Sequence, residues 1–135
     1  MFRILLERGS QSLISRLTLV EIESVLAVKV RSREIDAQGV ETVRRCLRAD
    51  LNQRRLMLGP HLEARHYQSA RVLLRRYGVK EGLRTLDALQ LADALDLKRS
   101  KSISVVVSAD QRLVRVARLA GCATVNPAEP GPLVI

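Results

Sequence analysis

SISVVVSADQRLVRVARLAGCATV, residues 102–125, reads as strand, helix and strand in succession. Residues 102–107 form a β-branched, mostly apolar run of the kind found in strands of a buried parallel sheet. Asp110 opens a helical pattern that runs to Ala120 and closes at Gly121, and residues 123–125 make a short last strand before a proline-rich tail.

Upstream, TLDALQLADALDL (residues 85–97) is a strong helix former with apolar residues on two sides, which predicts a helix well buried against a sheet. Beyond Pro60 a helix carries His61, His66, Tyr67, Ala70, Leu73 and Leu74 to a stop at Gly78. RLMLG (residues 55–59) suits a brief strand, and residues 36–52 a highly charged helix with one apolar stripe of Val40, Val43, Leu47 and Leu51. SLISRL (residues 12–17) is compatible with a strand, after which Thr18 opens a helix through Val20, Ile22, Val25, Leu26 and Val30. Residues 1–8 place apolar side chains at helical spacing and end at Gly9, the pattern of a helix tail. Strand and helix alternate throughout, so the class is α/β with a mostly parallel sheet, and 135 residues fit one domain spanning residues 1–135.

With 47 % hydrophobic residues and only 2 % aromatics, the core is built from Leu, Val, Ile and Ala. Aromatic platforms for base stacking are excluded as the main way of holding RNA. The formal charge of +9, mostly from arginine, favours polyanions or an acidic protein partner without choosing between them. Helical clusters such as Arg44, Arg45 and Arg48 are as well explained by a solvated face. A helical DNA-binding protein is disfavoured by the SISVVV strand and the lack of a helix-turn-helix pattern. Cys46 and Cys122 have no ligand spacing and are expected as buried free thiols. No apolar run reaches membrane-span length and the N-terminus lacks a secretory pattern, so a cytosolic protein is expected.

Glu21, Asp87 and Asp110 each fall in, or just before, the first turn of an expected helix. The helices of Glu21 and Asp110 follow strands directly, which puts their acids at the carboxyl edge of the sheet, where ligand sites of open α/β folds form. Three converging carboxylates repel one another unless a divalent cation neutralises them, and Mg²⁺ or Mn²⁺ suits such oxygen donors. The chemistry this implies is phosphodiester hydrolysis by a metal-activated water. Each acid also has a structural explanation: a Thr18–Glu21 capping box, a helix-dipole role for Asp87 after a Thr85 cap, and an N-cap role for Asp110. His61 and His66, five apart, do not share a helix face, and Asp93 and Asp96 suit solvent or salt-bridge roles. Glu23 faces a different side of its helix from Glu21. Arg16, Arg84 and Arg112 flank the acidic segments and match phosphate chemically, and Arg112 could equally pair with nearby Asp110.

The strings SRLTLVEIESVLA, LRTLDALQLADAL and VVVSADQRLVRVARLAGCATVNP, in this order, resemble the segments that carry the second, third and fourth acidic positions of PIN domains, especially the VapC-like toxins. By this likeness Glu21, Asp87 and Asp110 take those positions, with Ser108 as the small hydroxylic residue before the last. The resemblance implies a three-layer α/β/α domain that binds Mg²⁺ or Mn²⁺ and cuts RNA endonucleolytically. It also implies a homodimer held inactive by a cognate antitoxin. PIN toxins open with a strand ending in an aspartate. Residues 1–8 align instead with the end of the second short helix, so the first strand and its acid are expected to be missing. The start is either internal to a longer protein or a true truncation that leaves a binding remnant; if truncated, the strands at residues 12–17 and 102–107 lack the neighbour that joins them. Little or no nuclease activity is expected of the 135-residue form, and activity of an upstream-extended one.

Overall fold

The computed structural model describes residues 12–128 and the backbone of residues 2–5. In chain order the elements are β1 (Phe2–Leu5), β2 (Ser12–Ile14), α1 (Arg16–Arg31), α2 (Ala37–Asn52) and β3 (Leu56–Leu58), followed by α3 (Ala64–Glu81), α4 (Thr85–Arg99), β4 (Val105–Ser108), α5 (Gln111–Leu119) and β5 (Ala123–Val125). The class is α/β. The expected glycine stop at Gly9 and the end of the proline-rich tail, residues 129–135, lie outside the described residues.

The strands form one sheet in the order β3-β2-β1-β4-β5. β2–β3 and β4–β5 are parallel pairs, whereas β1 runs antiparallel to both of its neighbours. Four strands thus share a direction, and the sheet is mixed rather than simply parallel. Residues 2–5 are a strand and not the helix tail that their spacing suggested. Four residues are too few for periodicity to separate helix from strand. The unpaired backbone groups of β2 and β4 decide the matter, because β1 satisfies both, in the registers Ile4↔Leu13 and Phe2↔Ser108 to Leu5↔Val105. The two strands expected to lack a joining neighbour therefore have one. Residues 6–11 are too few for a parallel crossover, which needs a dozen or more, so β1 enters antiparallel.

Two helix ends differ from their expected places. Ser15, extended and fully buried, caps α1 by accepting from the Leu17 N–H at 3.1 Å. The helix therefore begins before Thr18, which is buried in its first turn, and Glu21 falls in the second turn rather than in a Thr18 capping box. α3 passes through Gly78 and stops at Gly82, whose φ of 70° is the left-handed end that glycine accepts without strain. Cys46 is exposed rather than buried, because α2 buries only Val40, whereas Cys122 is buried and its thiol is pushed up by that burial. Among the described residues, no helix is long and apolar enough to cross a membrane.

The core gathers Leu13 of β2, Leu73 and Tyr77 of α3, Leu91 of α4, Val106 of β4 and Val116 of α5. α4 is enclosed on nearly every side, as its sequence predicts, but this also buries Gln90 and Asp93. Asp93 is 0 % exposed, so of the solvent and salt-bridge roles expected for it only pairing, with His66, is open. Beside it His66 Nδ1 accepts the Glu63 backbone N–H at 2.8 Å, so the ring carries its hydrogen on Nε2. That atom lies 3.2 Å from Asp96 Oδ2 and 3.7 Å from Asp93 Oδ1, aligned for a hydrogen bond with neither. Arg65 pairs with Asp96 at 3.0 Å and holds that carboxyl below the usual range.

Burial pushes the Asp93 carboxyl up, with His66 and Ser15 opposing. A carboxyl raised on folding binds more protons folded than unfolded, so its penalty is absent below the unfolded pKa and grows as pH rises through the folded one. Asp93→Asn is expected to stabilise the chain by about 1–2 kcal/mol at pH 7, the scale of an unsatisfied buried polar group. It should also remove part of any gain in stability as pH falls from 7 towards the carboxylate range. Urea midpoints of both forms across that range check this, and a loss of stability at pH 7 in the variant contradicts it.

Candidate active site

α1 starts at the carboxyl end of β2 and α5 at the carboxyl end of β4. Because these strands share a direction, both helices begin at the same edge of the sheet. The Gly82 turn after α3 leads into α4, whose first turn lies at the same place. One open cleft of about 750 Å³ is consequently lined by Glu21, Asp87 and Asp110, together with Arg84, Leu86, Gln111, Arg112 and Arg115. The three acids singled out in the sequence come from three different helices and share this cleft.

Asp110 is the N-cap of α5: its Oδ1 accepts from the Arg112 N–H at 2.9 Å and the Leu113 N–H at 3.2 Å. Its own N–H donates to Oγ of buried Ser108 at 3.1 Å, which fixes the turn between strand and helix. Its structural role is therefore real and leaves the carboxylate in the cleft. Asp87 is the third residue of α4, after Arg84 in the cap position that Thr85 was expected to fill. Burial pushes the Asp87 carboxyl up and the neighbouring charge of Asp110 adds to the shift, while the Arg84 backbone and the guanidinium groups of Arg112 and Arg84 oppose it. Glu21 has a buried Oε1 without a hydrogen-bond partner.

A hard divalent cation suits these donors by chemistry: an unpartnered carboxylate oxygen on Glu21, and a like-charge pair in Asp87 and Asp110. Among the described residues, however, no three His, Cys, Asp or Glu side chains stand ready as a cation-holding group. Glu21, Asp87 and Asp110, which share the cleft, are the residues that would hold the cation.

Of the arginines that flank the acidic segments in sequence, Arg84 and Arg112 reach the cleft, and Arg115, not singled out there, joins them. The signal for Arg115 was its place three residues after Arg112, hence on the same side of α5. Glu81 pairs with Arg115 at 2.9 Å. Arg16 is elsewhere, its Nε donating to the Gly59 carbonyl at 2.9 Å, which ties α1 to the end of β3. Glu23 bridges to Arg44 of α2 at 2.7 Å, away from the acids as expected, and His61 is exposed while His66 is buried. A second, apolar groove of about 620 Å³ between α1 and α2, lined by Ile22, Val25, Val43, Cys46 and Leu47, adjoins the cleft through Glu21.

No protein-family model matches the chain, and neither does any curated protein or solved structure.

The cap and the charge of Asp110 are separable, because asparagine caps as well as aspartate. Asp110→Ala is expected to cost about 1 kcal/mol, and Asp110→Asn only a few tenths. Thermal midpoints of the two variants test this. Equal losses in both would mean that the carboxylate charge, not the cap, holds the start of α5.

Proposed function

We propose that the chain is a PIN-type, VapC-like endoribonuclease domain, in which a Mg²⁺ or Mn²⁺ ion held by Glu21, Asp87 and Asp110 assists hydrolysis of RNA phosphodiester bonds. The observation that carries this reading is the meeting of these three acids, far apart in sequence, in one cleft at the carboxyl edge of an α/β sheet. Three arginines in the same cleft and a net charge of +9 support a polyanionic substrate. The reading carries with it a three-layer α/β/α arrangement, a homodimer and a cognate antitoxin. The apolar groove next to the cleft is a suitable seat for the antitoxin. When bound, the cation supplies a nucleophilic hydroxide at neutral pH and neutralises charge on the phosphate. The residues themselves orient the phosphate and, through Asp87 and Asp110, hold negative charge where the cation enters.

A second reading, a catalytically impaired PIN remnant that binds RNA or antitoxin without cutting, is favoured by β1, whose residues, Phe-Arg-Ile-Leu, bring no acid to the middle of the sheet. Incubating the chain with a mixed RNA pool and Mn²⁺ or Mg²⁺ separates the two. The proposal expects weak, cation-dependent cleavage that disappears with EDTA and in the Asp87→Asn/Asp110→Asn double variant. No cleavage in any sample would leave the binding reading, and cleavage that survives the double substitution would remove these acids from the site.

A further inference from the structure

We infer that Arg112 is the residue that positions the phosphodiester of a bound RNA strand in the cleft, seated for that purpose on the C-terminal turn of α3. The choice of RNA as ligand rests on the ribonuclease reading above; the assignment of the residue does not.

Gly82 ends α3 with a φ of 70° and has no side chain to cover the turn. A Cβ there would lie 3.5 Å from Arg112 Nε and 3.8 Å from Cζ, so the guanidinium packs directly over the turn. The end of α3 presents carbonyl groups and partial negative charge, a favourable place for a cation. At its other end Arg112 is fixed by its backbone N–H bond to Asp110 Oδ1. The side chain is thereby held between two helix termini inside the cleft that Asp87 and Asp110 line.

Of the other arginines considered, Arg115 is paired with Glu81 and Arg16 is bonded to Gly59, while Arg84 shares the cleft but stands at the N-cap of α4 rather than on the α3 turn. Arg112 forms no ion pair with any described residue, although it lies close enough to Asp87 to help keep that carboxylate charged. Its planar fork of N–H donors is therefore available to match two phosphate oxygens at once, a geometry that lysine does not reproduce.

Binding of a fluorescently labelled, unstructured oligoribonucleotide, measured by anisotropy in EDTA at several salt concentrations, tests the assignment without any cleavage. Arg112→Gln is expected to weaken binding about tenfold and to reduce the slope of log affinity against log salt by about 0.7, the loss of one phosphate contact on a single strand. Arg112→Lys should restore the slope but only part of the affinity, a split that a merely structural role would not produce. Arg76→Gln, a charge loss on the exposed side of α3 where Arg76 lies over the Tyr77 ring, should change affinity less than about twofold. Unchanged binding by Arg112→Gln, an equal loss in Arg76→Gln, or no RNA binding by the unaltered chain would overturn the assignment. Binding that depends on Arg112 without Mn²⁺-dependent cleavage upholds it and rejects the nuclease reading; cleavage with binding indifferent to Arg112 does the reverse.

Discussion

The two parallel pairs of the sheet, β3–β2 and β4–β5, meet only through β1, and the geometry of the cleft depends on that joint. β2 leads into the helix of Glu21, and β4 into the turn of Asp110. With one strand between them, the starts of α1 and α5 are two strand spacings apart, about 9–10 Å. That separation is wide enough to admit a phosphate group between acids from either side. Because β1 runs against its neighbours, its first residue, Phe2, pairs with Ser108 at the carboxyl edge. The strand therefore supplies backbone pairing at the site and no carboxylate.

Electrostatics then sets what the cleft does at rest. Three carboxylates and three guanidinium groups line one space, so the repulsion between Asp87 and Asp110 is answered by arginine. The Asp110 cap holds one of the acids to its own helix. The Arg112 guanidinium packs on the α3 turn beside the same cleft.

The sequence made most of this visible because its strongest signals are local. The β-branched run at the start of β4, the glycine after α5 and the acids at helix starts each name their own structure, and from them the shared edge follows by topology. β1 was not legible, since Phe2–Leu5 satisfies helical spacing as well as a strand, and only the gap between β2 and β4 decides. Gly78 looked like a stop, yet α3 tolerates it and ends at Gly82, where the left-handed turn falls. Asp93 suited solvent or a salt bridge, but α4 is enclosed on nearly all sides, and its position on the helix leaves only the neighbouring His66 to pair with. Arg112 was visible as a basic residue near an acid. Its seat on Gly82 depends on two segments thirty residues apart in the chain and emerges only when they pack.

The most direct test of the account is where a cation goes. Mn²⁺ titrated into the isotopically labelled chain broadens the amide signals of residues near its binding place. The account predicts that signals around Glu21, Arg84 to Ala88 and Ser108 to Arg112 disappear first, and that this selectivity is lost in the Asp87→Asn/Asp110→Asn variant. Broadening centred instead on His66, Asp93 and Asp96, or spread evenly over the surface acids, would contradict the claim that these three carboxylates form one cation site.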